Sequence, residues 1–219
     1  LTYKDKMLTC RRYFCSSEKM DALANVETLS NKINQTSEIC NGTQETVTDI
    51  VMMDDGRLVM CIPSQRRLLI SNTDGSQVDS IPVQGYPYSV TAVSNSTVAL
   101  TLLESRCIEM YDINNKLKLK SISQPGGLWR YSGITTINNK LVVRGENCLL
   151  IIDYQTGEVI QTIKIDCDPD RLHSSGDRIF YCDINLNTKK LYCYSNTNDT
   201  RHTLTLPSNP FVITTLQDG

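Results

Sequence analysis

The side chains best suited to chemistry in this sequence are arginines and aromatics that stand in polar stretches between runs of β-forming residues. They are Arg66, Arg67, Tyr86, Arg106, Trp129, Arg130 and Arg144. Arginine, tyrosine and tryptophan together are typical of the centre of a peptide interface, and they also stack on the bases of single-stranded RNA. Trp129 is the single tryptophan and follows a glycine pair, which makes it the first candidate for a contact residue. The alternative is that these are ordinary solvated loop side chains.

Residues that could support acid–base, nucleophilic or metal chemistry are present but scattered. Asp166, Asp168 and Asp170 alternate in DCDPD and could bind a cation, although a proline-containing loop explains them as well. His173 falls in a predicted strand, where structural burial is the simpler explanation. The sequence has no G-x-S-x-G motif, phosphate-cradling glycine loop or Cys–His neighbourhood. We therefore expect a segment that is not an enzyme and needs no cofactor or metal.

The cysteines and the net charge bear on compartment and partners. The chain has 219 residues, nine cysteines and a net charge of −2. An odd number of irregularly spaced cysteines argues against a disulfide framework and favours reduced thiols in the cytoplasm, with Cys182 and Cys193 as the pair that could be an exception. The charge provides no broad attraction to nucleic acid or anionic lipid. No apolar run approaches the ~18 residues of a membrane span, so we expect no membrane partner.

The stretch 47–81 shows which elements must position the candidate side chains. It consists of four runs of β-forming residues joined by tight turns and a polar loop. Its first turn recurs about every 40 residues, which is the period of a four-stranded propeller blade. The recurring turn positions are Gly56, Ser96, Asn139, Asp177 and Gly219. Glycine, asparagine and aspartate suit such turns because tight hairpins need positive φ.

The sequence therefore predicts an all-β fold, a β-propeller of four-stranded blades with four complete blades and part of a fifth. The predicted strands are 47–53, 57–61, 68–71 and 78–81; 89–93, 97–102, 107–111 and 117–122; 132–137, 141–144, 149–153 and 159–165; 170–174, 178–182, 190–194 and 202–206; and 211–216. Residues 1–46 do not fit the repeat and are predicted to be a linker that could hold the end of a helix and a closing strand. One face of a propeller carries the loops between blades and between second and third strands; six of the seven candidate residues belong to those loops, and Arg144 ends the predicted strand that leads into one of them.

Four phrases, DGRLV, NTDGS, PYSVT and NNKLVVRGE, resemble the C-terminal propeller of tripartite-motif (TRIM)-like proteins of the invertebrate type, with NHL-like repeats. The resemblance covers residues 47–219 and implies a six-bladed propeller behind a B-box and coiled coil. It implies a substrate-recognition module of a cytosolic scaffold or ubiquitin ligase, oligomerising, if at all, through the coiled coil. Ubiquitin transfer would belong to a RING that this sequence lacks. The stretch DRLHSSGDRIFYC departs from the family pattern.

Three functional hypotheses follow. The leading one is a non-catalytic module that binds a protein or peptide on the loop face. The second is binding of single-stranded RNA by the same face, which the acidic balance opposes. The third is a propeller hydrolase with carboxylates and a metal in the central channel.

Overall fold

The computed structural model describes residues 47–72, 76–105, 107–123, 132–183 and 188–207. These residues form four antiparallel sheets of four strands each, in which every strand pairs with its neighbour in sequence. The strands are β1 (Asp49–Met52), β2 (Leu58–Ile62), β3 (Arg67–Ser71), β4 (Gln77–Pro82), β5 (Pro87–Ala92), β6 (Thr97–Leu102), β7 (Cys107–Asp112), β8 (Leu117–Ser123), β9 (Ile134–Ile137), β10 (Lys140–Gly145), β11 (Cys148–Ile152), β12 (Val159–Lys164), β13 (Pro169–Ser175), β14 (Arg178–Asp183), β15 (Lys190–Ser195) and β16 (Thr200–Thr205). No helix in the described part of the chain is long and apolar enough to cross a membrane.

The fold is the predicted one: all-β, with four-stranded propeller blades. Blade one is β1–β4, blade two β5–β8, blade three β9–β12 and blade four β13–β16. All sixteen strands predicted for the four complete blades are present, with ends that differ by a few residues. The predictions for residues 1–46 and for the strand 211–216 lie outside the described residues.

The hairpin turns use the positive φ that their sequences predict. Gly56 closes the first turn of blade one with φ 84°, and Gly157 closes the last turn of blade three with φ 82°. Lys116 and Asp199 end the corresponding last turns of blades two and four, also with positive φ. Glycine adopts this region at little cost, whereas Lys116 and Asp199 must be held there by the surrounding hairpin.

The chain divides into two compact units, one holding blades one and two and the other holding blades three and four. The core of the first unit is formed by buried apolar side chains of both its blades, with Val59, Leu100 and Tyr111 among them. The core of the second unit is built in the same way and includes Val142 and Tyr194. Apolar residues on facing sheets thus stabilise each pair of blades.

Polar contacts between innermost strands also join the blades of a pair. In the first unit, one carboxylate oxygen of Asp49 on β1 accepts hydrogen bonds from Ser89 Oγ at 2.5 Å and from the backbone N–H of Val90 at 2.9 Å. In the second unit, the hydroxyls of Thr135 and Ser174 lie 3.0 Å apart. These links span neighbouring repeats, so they fix the register of one blade against the next.

Candidate functional site

Arg66 and Tyr86 are two predicted site residues that the structure brings into direct contact. Arg66 Nη2 donates a hydrogen bond of 2.7 Å to the Tyr86 hydroxyl. Arg66 Cζ also lies 4.5 Å from the centroid of the Tyr86 ring, within cation–π distance. Arg66 is exposed and Tyr86 is half-buried. The pair therefore presents to solvent a cation that is held over a partly exposed aromatic ring.

The backbone around Arg66 explains why its side chain is fixed. Residues 63–65 form a short 3-10 turn that starts at a proline, and Arg66 caps it in the left-handed region with φ 50° and ψ 48°. The carbonyl of Arg66 then accepts a 2.7 Å hydrogen bond from the N–H of Val83, the first residue after β4. The loop between β2 and β3 is thereby tied to the connection that carries Tyr86.

The same device occurs in blades three and four. Asn147 and Lys189 also have positive φ, and their carbonyls accept hydrogen bonds from Ile165 N at 3.0 Å and Leu206 N at 2.7 Å. Sequence reasoning missed this recurring position because arginine and lysine seldom adopt positive φ. Of the three residues, only Asn147 is of a type that favours positive φ.

The loop of blade two between β6 and β7 completes the site in the first unit. The N–H of Leu103 donates a 2.9 Å hydrogen bond to the carbonyl of Tyr86, which places this loop beside the Arg66–Tyr86 pair. The hydrogen bond to the Tyr86 hydroxyl, with a smaller contribution from the nearby Glu104 carboxylate, raises the pKa of Arg66. Glu104 is exposed. We call Arg66, Tyr86 and Glu104 the loop-face cluster.

Two further predicted residues lie in strands rather than in solvated loops. Arg67 is the first residue of β3 and half-buried, and its Nε is buried with no hydrogen-bond partner among the described residues. Arg144 is the fifth residue of β10 and only 4% exposed. Its Nη2 lies 3.3 Å from Asp168 Oδ1, on the connection to blade four. The prediction of Arg144 as a loop side chain is corrected, because β10 continues one residue beyond it.

The remaining predicted site residues, Arg106, Trp129 and Arg130, lie outside the described residues. Their assignment as contact residues stays a prediction from the sequence. The structure therefore brings together Arg66 and Tyr86 from the predicted set and adds Glu104, which the sequence reasoning had not included. The signal for Glu104 was its place in the blade-two loop that also contains Arg106.

Two of the three alternating aspartates of DCDPD lie close to arginines. Asp168 pairs with Arg144, and Asp170 Oδ2 lies 3.8 Å from Arg171 Nε on the same strand. Within the described residues, no three histidine, cysteine, aspartate or glutamate side chains converge in a way that could hold a metal ion. The carboxylates at this connection thus form ion pairs with arginine.

Among the candidate nucleophiles and bases, Cys167 and Cys182 are buried and His173 is half-buried. Desolvation, followed by the charge of Asp183, raises the pKa of the Cys167 thiol to about 12. Desolvation also raises the pKa of Cys182 to about 11. Burial lowers the pKa of His173 below its ordinary value. Cys182 and Cys193 are both free and stand in different rows of the β14–β15 ladder, opposite Leu191 and Phe180 respectively.

No protein-family model matches the sequence, and no curated protein matches it. Several solved structures match its shape. Hydrazine synthase of Kuenenia stuttgartiensis aligns with a TM-score of 0.61 and 16% identity over 77% of this chain and 53% of that one. The WD40 repeats of RRP9 align with a TM-score of 0.59 and 12% identity over 74% and 52%. Virginiamycin B lyase of Staphylococcus aureus, solved with quinupristin, aligns with a TM-score of 0.58 and 15% identity over 76% of this chain and 58% of that one.

The chain spans about half the length of these structures. At such low identities the similarity establishes the β-propeller fold alone. Because the matched structures include both enzymes and WD40 repeats, function has to be argued from the side chains of this chain.

Proposed function

We propose that this propeller segment is a non-catalytic interaction module that binds a protein or peptide partner on its loop face. The observation that carries the proposal is the contact between Arg66 and Tyr86, an exposed cation held against a half-buried ring. Arginine and tyrosine are enriched among residues that dominate the energy of protein interfaces. The WD40 repeats among structures of the same shape are compatible with this role.

Pre-organisation favours this surface over an ordinary solvated loop. A free arginine loses much side-chain entropy when a partner immobilises it, which weakens binding. In Arg66 the backbone is fixed by the Val83 hydrogen bond and the guanidinium by Tyr86. Glu104 adds a carboxylate beside the cation. A partner that offers an acidic side chain to Arg66 and a donor to Glu104 would match both charges.

The same cluster is less suited to RNA. A phosphate approaching Arg66 would also approach Glu104, and like charges close together cost binding energy. The segment's net charge of −2 gives no compensating long-range attraction. Protein binding is therefore the better-supported of the two.

The buried thiols support a role without covalent catalysis. A nucleophilic cysteine needs a lowered pKa and access to substrate, whereas Cys167 and Cys182 have raised pKa values and are buried. We further propose, from the resemblance to TRIM-like proteins with NHL-like repeats, that the module recognises substrates for a cytoplasmic scaffold or ubiquitin ligase.

The test compares three single variants as bait for cytosolic proteins, with quantitative mass spectrometry. Arg66→Gln removes the cation and Tyr86→Phe removes only the hydroxyl that orients it. Arg178→Gln is the matched control, because Arg178 is an exposed arginine at the start of β14, where a different turn precedes the strand. Partners of the loop face should be retained by the control, weakened by Tyr86→Phe and reduced at least about tenfold by Arg66→Gln.

Equal capture by all baits would contradict the proposal. A parallel titration with a random single-stranded RNA pool tests the alternative: affinity that falls steeply with salt and is lost in Arg66→Gln would replace the protein partner with RNA. Hydrolysis of ester or lactone substrates by the wild-type protein would refute the non-catalytic assignment.

A further inference from the structure

A second candidate site lies on the rim of the second unit, away from the loop-face cluster. A groove with a volume of about 640 Å³ separates β12 of blade three from the turn that joins β15 to β16 in blade four. Residues 161–164 line one wall, and residues 196–199 with Arg201 line the other. The buried Tyr194 also lines it, and its hydroxyl is 3.5 Å from Gln161 Nε2.

The first unit provides an internal comparison, because its strands can be aligned by register. Ile81 of β4 pairs with Leu68, two residues after Arg66, and Ile163 of β12 pairs with Leu149, two residues after Asn147. Arg66 and Asn147 are the matching positive-φ residues described above. Asp79 therefore corresponds to Gln161.

The opposite wall aligns equally well. Tyr111 of β7 and Tyr194 of β15 each stand five positions before a turn residue with positive φ, Lys116 in blade two and Asp199 in blade four. Ile113 therefore corresponds to Asn196. By the same count Lys118 corresponds to Arg201.

The side chains at these matched positions join the two blades by an ion pair in the first unit and by hydrogen bonds of the Tyr194 hydroxyl with Gln161 and Asp199 in the second. Lys116 forms an ion pair with Asp79 across the two blades, and Ile113 is buried in the core with 2% exposure. In the second unit, Gln161 and Asp199 cannot form that ion pair. Asn196 replaces the buried isoleucine, and its Oδ1 is buried without a hydrogen-bond partner among the described residues.

The groove offers hydrogen-bonding groups from the edge of β12. The N–H of Ile165 donates a hydrogen bond to the carbonyl of Asn147, next to β11. The backbone N–H and C=O groups of residues 161, 163 and 165 therefore point toward β11. Backbone groups alternate in an antiparallel ladder, so those of Thr162 and Lys164 point away from β11. Both residues line the groove. An unpaired strand edge of this kind is a template for another strand.

The groove is lined by charged side chains of both signs, Lys164 and Arg201 together with Asp199. Arg201 lines it and has no ion pair with another described residue, whereas the matched Lys118 is paired with Glu109. Tyr192 stands where blade two has Glu109, so blade four has no carboxylate at that place in the ladder. The arginine is thus available to an acidic group entering the groove.

We propose that this groove binds an extended peptide segment of a partner protein, which adds a strand to the edge of β12 and directs a carboxylate side chain toward Arg201. Backbone hydrogen bonds to residues 162 and 164 would provide affinity, as in other strand-addition complexes. The side-chain oxygen of Asn196 would accept a hydrogen bond from the bound segment. This site is independent of the loop-face cluster.

The experiment uses the whole chain and a displayed library of random linear peptides. Selected peptides are synthesised with a fluorophore, and their affinities are measured by anisotropy. One variant closes the rim by copying the first unit, with Gln161→Asp and Asp199→Lys together, and a second, Asn196→Ile, fills the groove. The matched control makes the reverse exchange in the first unit, Asp79→Gln with Lys116→Asp.

The selected peptides should contain an acidic residue and should lose at least about tenfold in affinity for both rim variants. Affinity for the first-unit control and for Arg66→Gln should be unchanged, which separates this site from the loop face. Arg201→Gln should abolish the preference for a glutamate over a glutamine peptide. Methylating the peptide backbone nitrogens, which requires no protein variant, should also abolish binding.

Three results would overturn the proposal: a library that yields no binder, binders that the closed rim does not weaken, or binders that tolerate backbone methylation. Loss of binding in Arg66→Gln with retention in the rim variants would assign the peptides to the loop face instead.

Discussion

Replacing Lys118 with methionine should destabilise the first unit by leaving a buried carboxylate without its cation. Glu109 on β7 accepts a 2.7 Å hydrogen bond from the Tyr111 hydroxyl and forms an ion pair with Lys118 Nζ on β8. The Glu109 side chain is 5% exposed and that of Lys118 is 33% exposed. Methionine keeps most of the apolar stem of lysine, so the change isolates the charge.

The magnitude follows from the exposure of the two partners. Removing one partner of a fully buried ion pair costs about 3–5 kcal/mol, because the other charge remains desolvated. Water reaches the Lys118 end of this pair, and the Tyr111 hydroxyl still binds the carboxylate. We therefore expect a loss of about 2 kcal/mol in the free energy of unfolding, discounted for solvent screening. For a chain of this size that corresponds to a fall in Tm of roughly 4–8 °C.

Equilibrium urea unfolding followed by circular dichroism measures the effect. Glu109→Gln and the double variant complete a cycle, in which the double variant should be less destabilised than the sum of the single changes. Arg201→Met is the matched control, since the corresponding strand position in blade four is Tyr192, and it should cost less than about 0.5 kcal/mol. The reasoning would be refuted if Lys118→Met cost no more than Arg201→Met.

Three other outcomes are expected. The ion pair with Lys140, followed by the turn N–H groups of Gln155 and Thr156, lowers the pKa of Asp153 to about 2, below its ordinary value of 3.8. Its contribution to stability is therefore complete above about pH 5 and is lost as the pH falls through about 2, so thermal unfolding of wild type and Asp153→Asn should converge over that range. Cys61→Ala should cost about 1 kcal/mol in urea unfolding through lost packing in the core, and a cost above about 3 kcal/mol would contradict this. Alkylation under denaturing conditions before any reductant should label all nine cysteines, and five or fewer labelled thiols would argue against a cytoplasmic protein.

The strands were predictable because their signals are local. Stretches such as 58–62 and 141–143 are continuously apolar and buried, as expected for inner blade strands covered on both faces. The turns between them carry residues such as Gly56 and Gly157 that accept positive φ. Neither signal depends on which other repeat a strand packs against, so the strands of each repeat could be predicted from that repeat's own sequence.

The site was harder to predict because its side chains depend on neighbouring repeats. Arg144 has the composition of a loop contact, but it is buried through packing of β10 and lies near Asp168 on the next connection. Arg66 was predicted to be exposed. Its contact with Tyr86 depends on a positive φ, which cannot be predicted from the residue type because arginine seldom adopts it. Residue type alone therefore could not separate these two arginines.

The repeats themselves provide the information that residue type lacks. Positions that keep the same role from blade to blade, such as the carbonyls of Arg66, Asn147 and Lys189 in blades one, three and four, maintain the fold. Functional differences between the repeats should then lie at matched positions that carry different residue types while the blade structure stays the same. One such difference lies at the groove. The first unit has the Asp79–Lys116 ion pair where the second has Gln161 and Asp199, and it has Ile113 where the second has Asn196. A change that removes an ion pair and places a polar atom in a core position lowers stability, so a ligand at this rim would provide a reason for its presence.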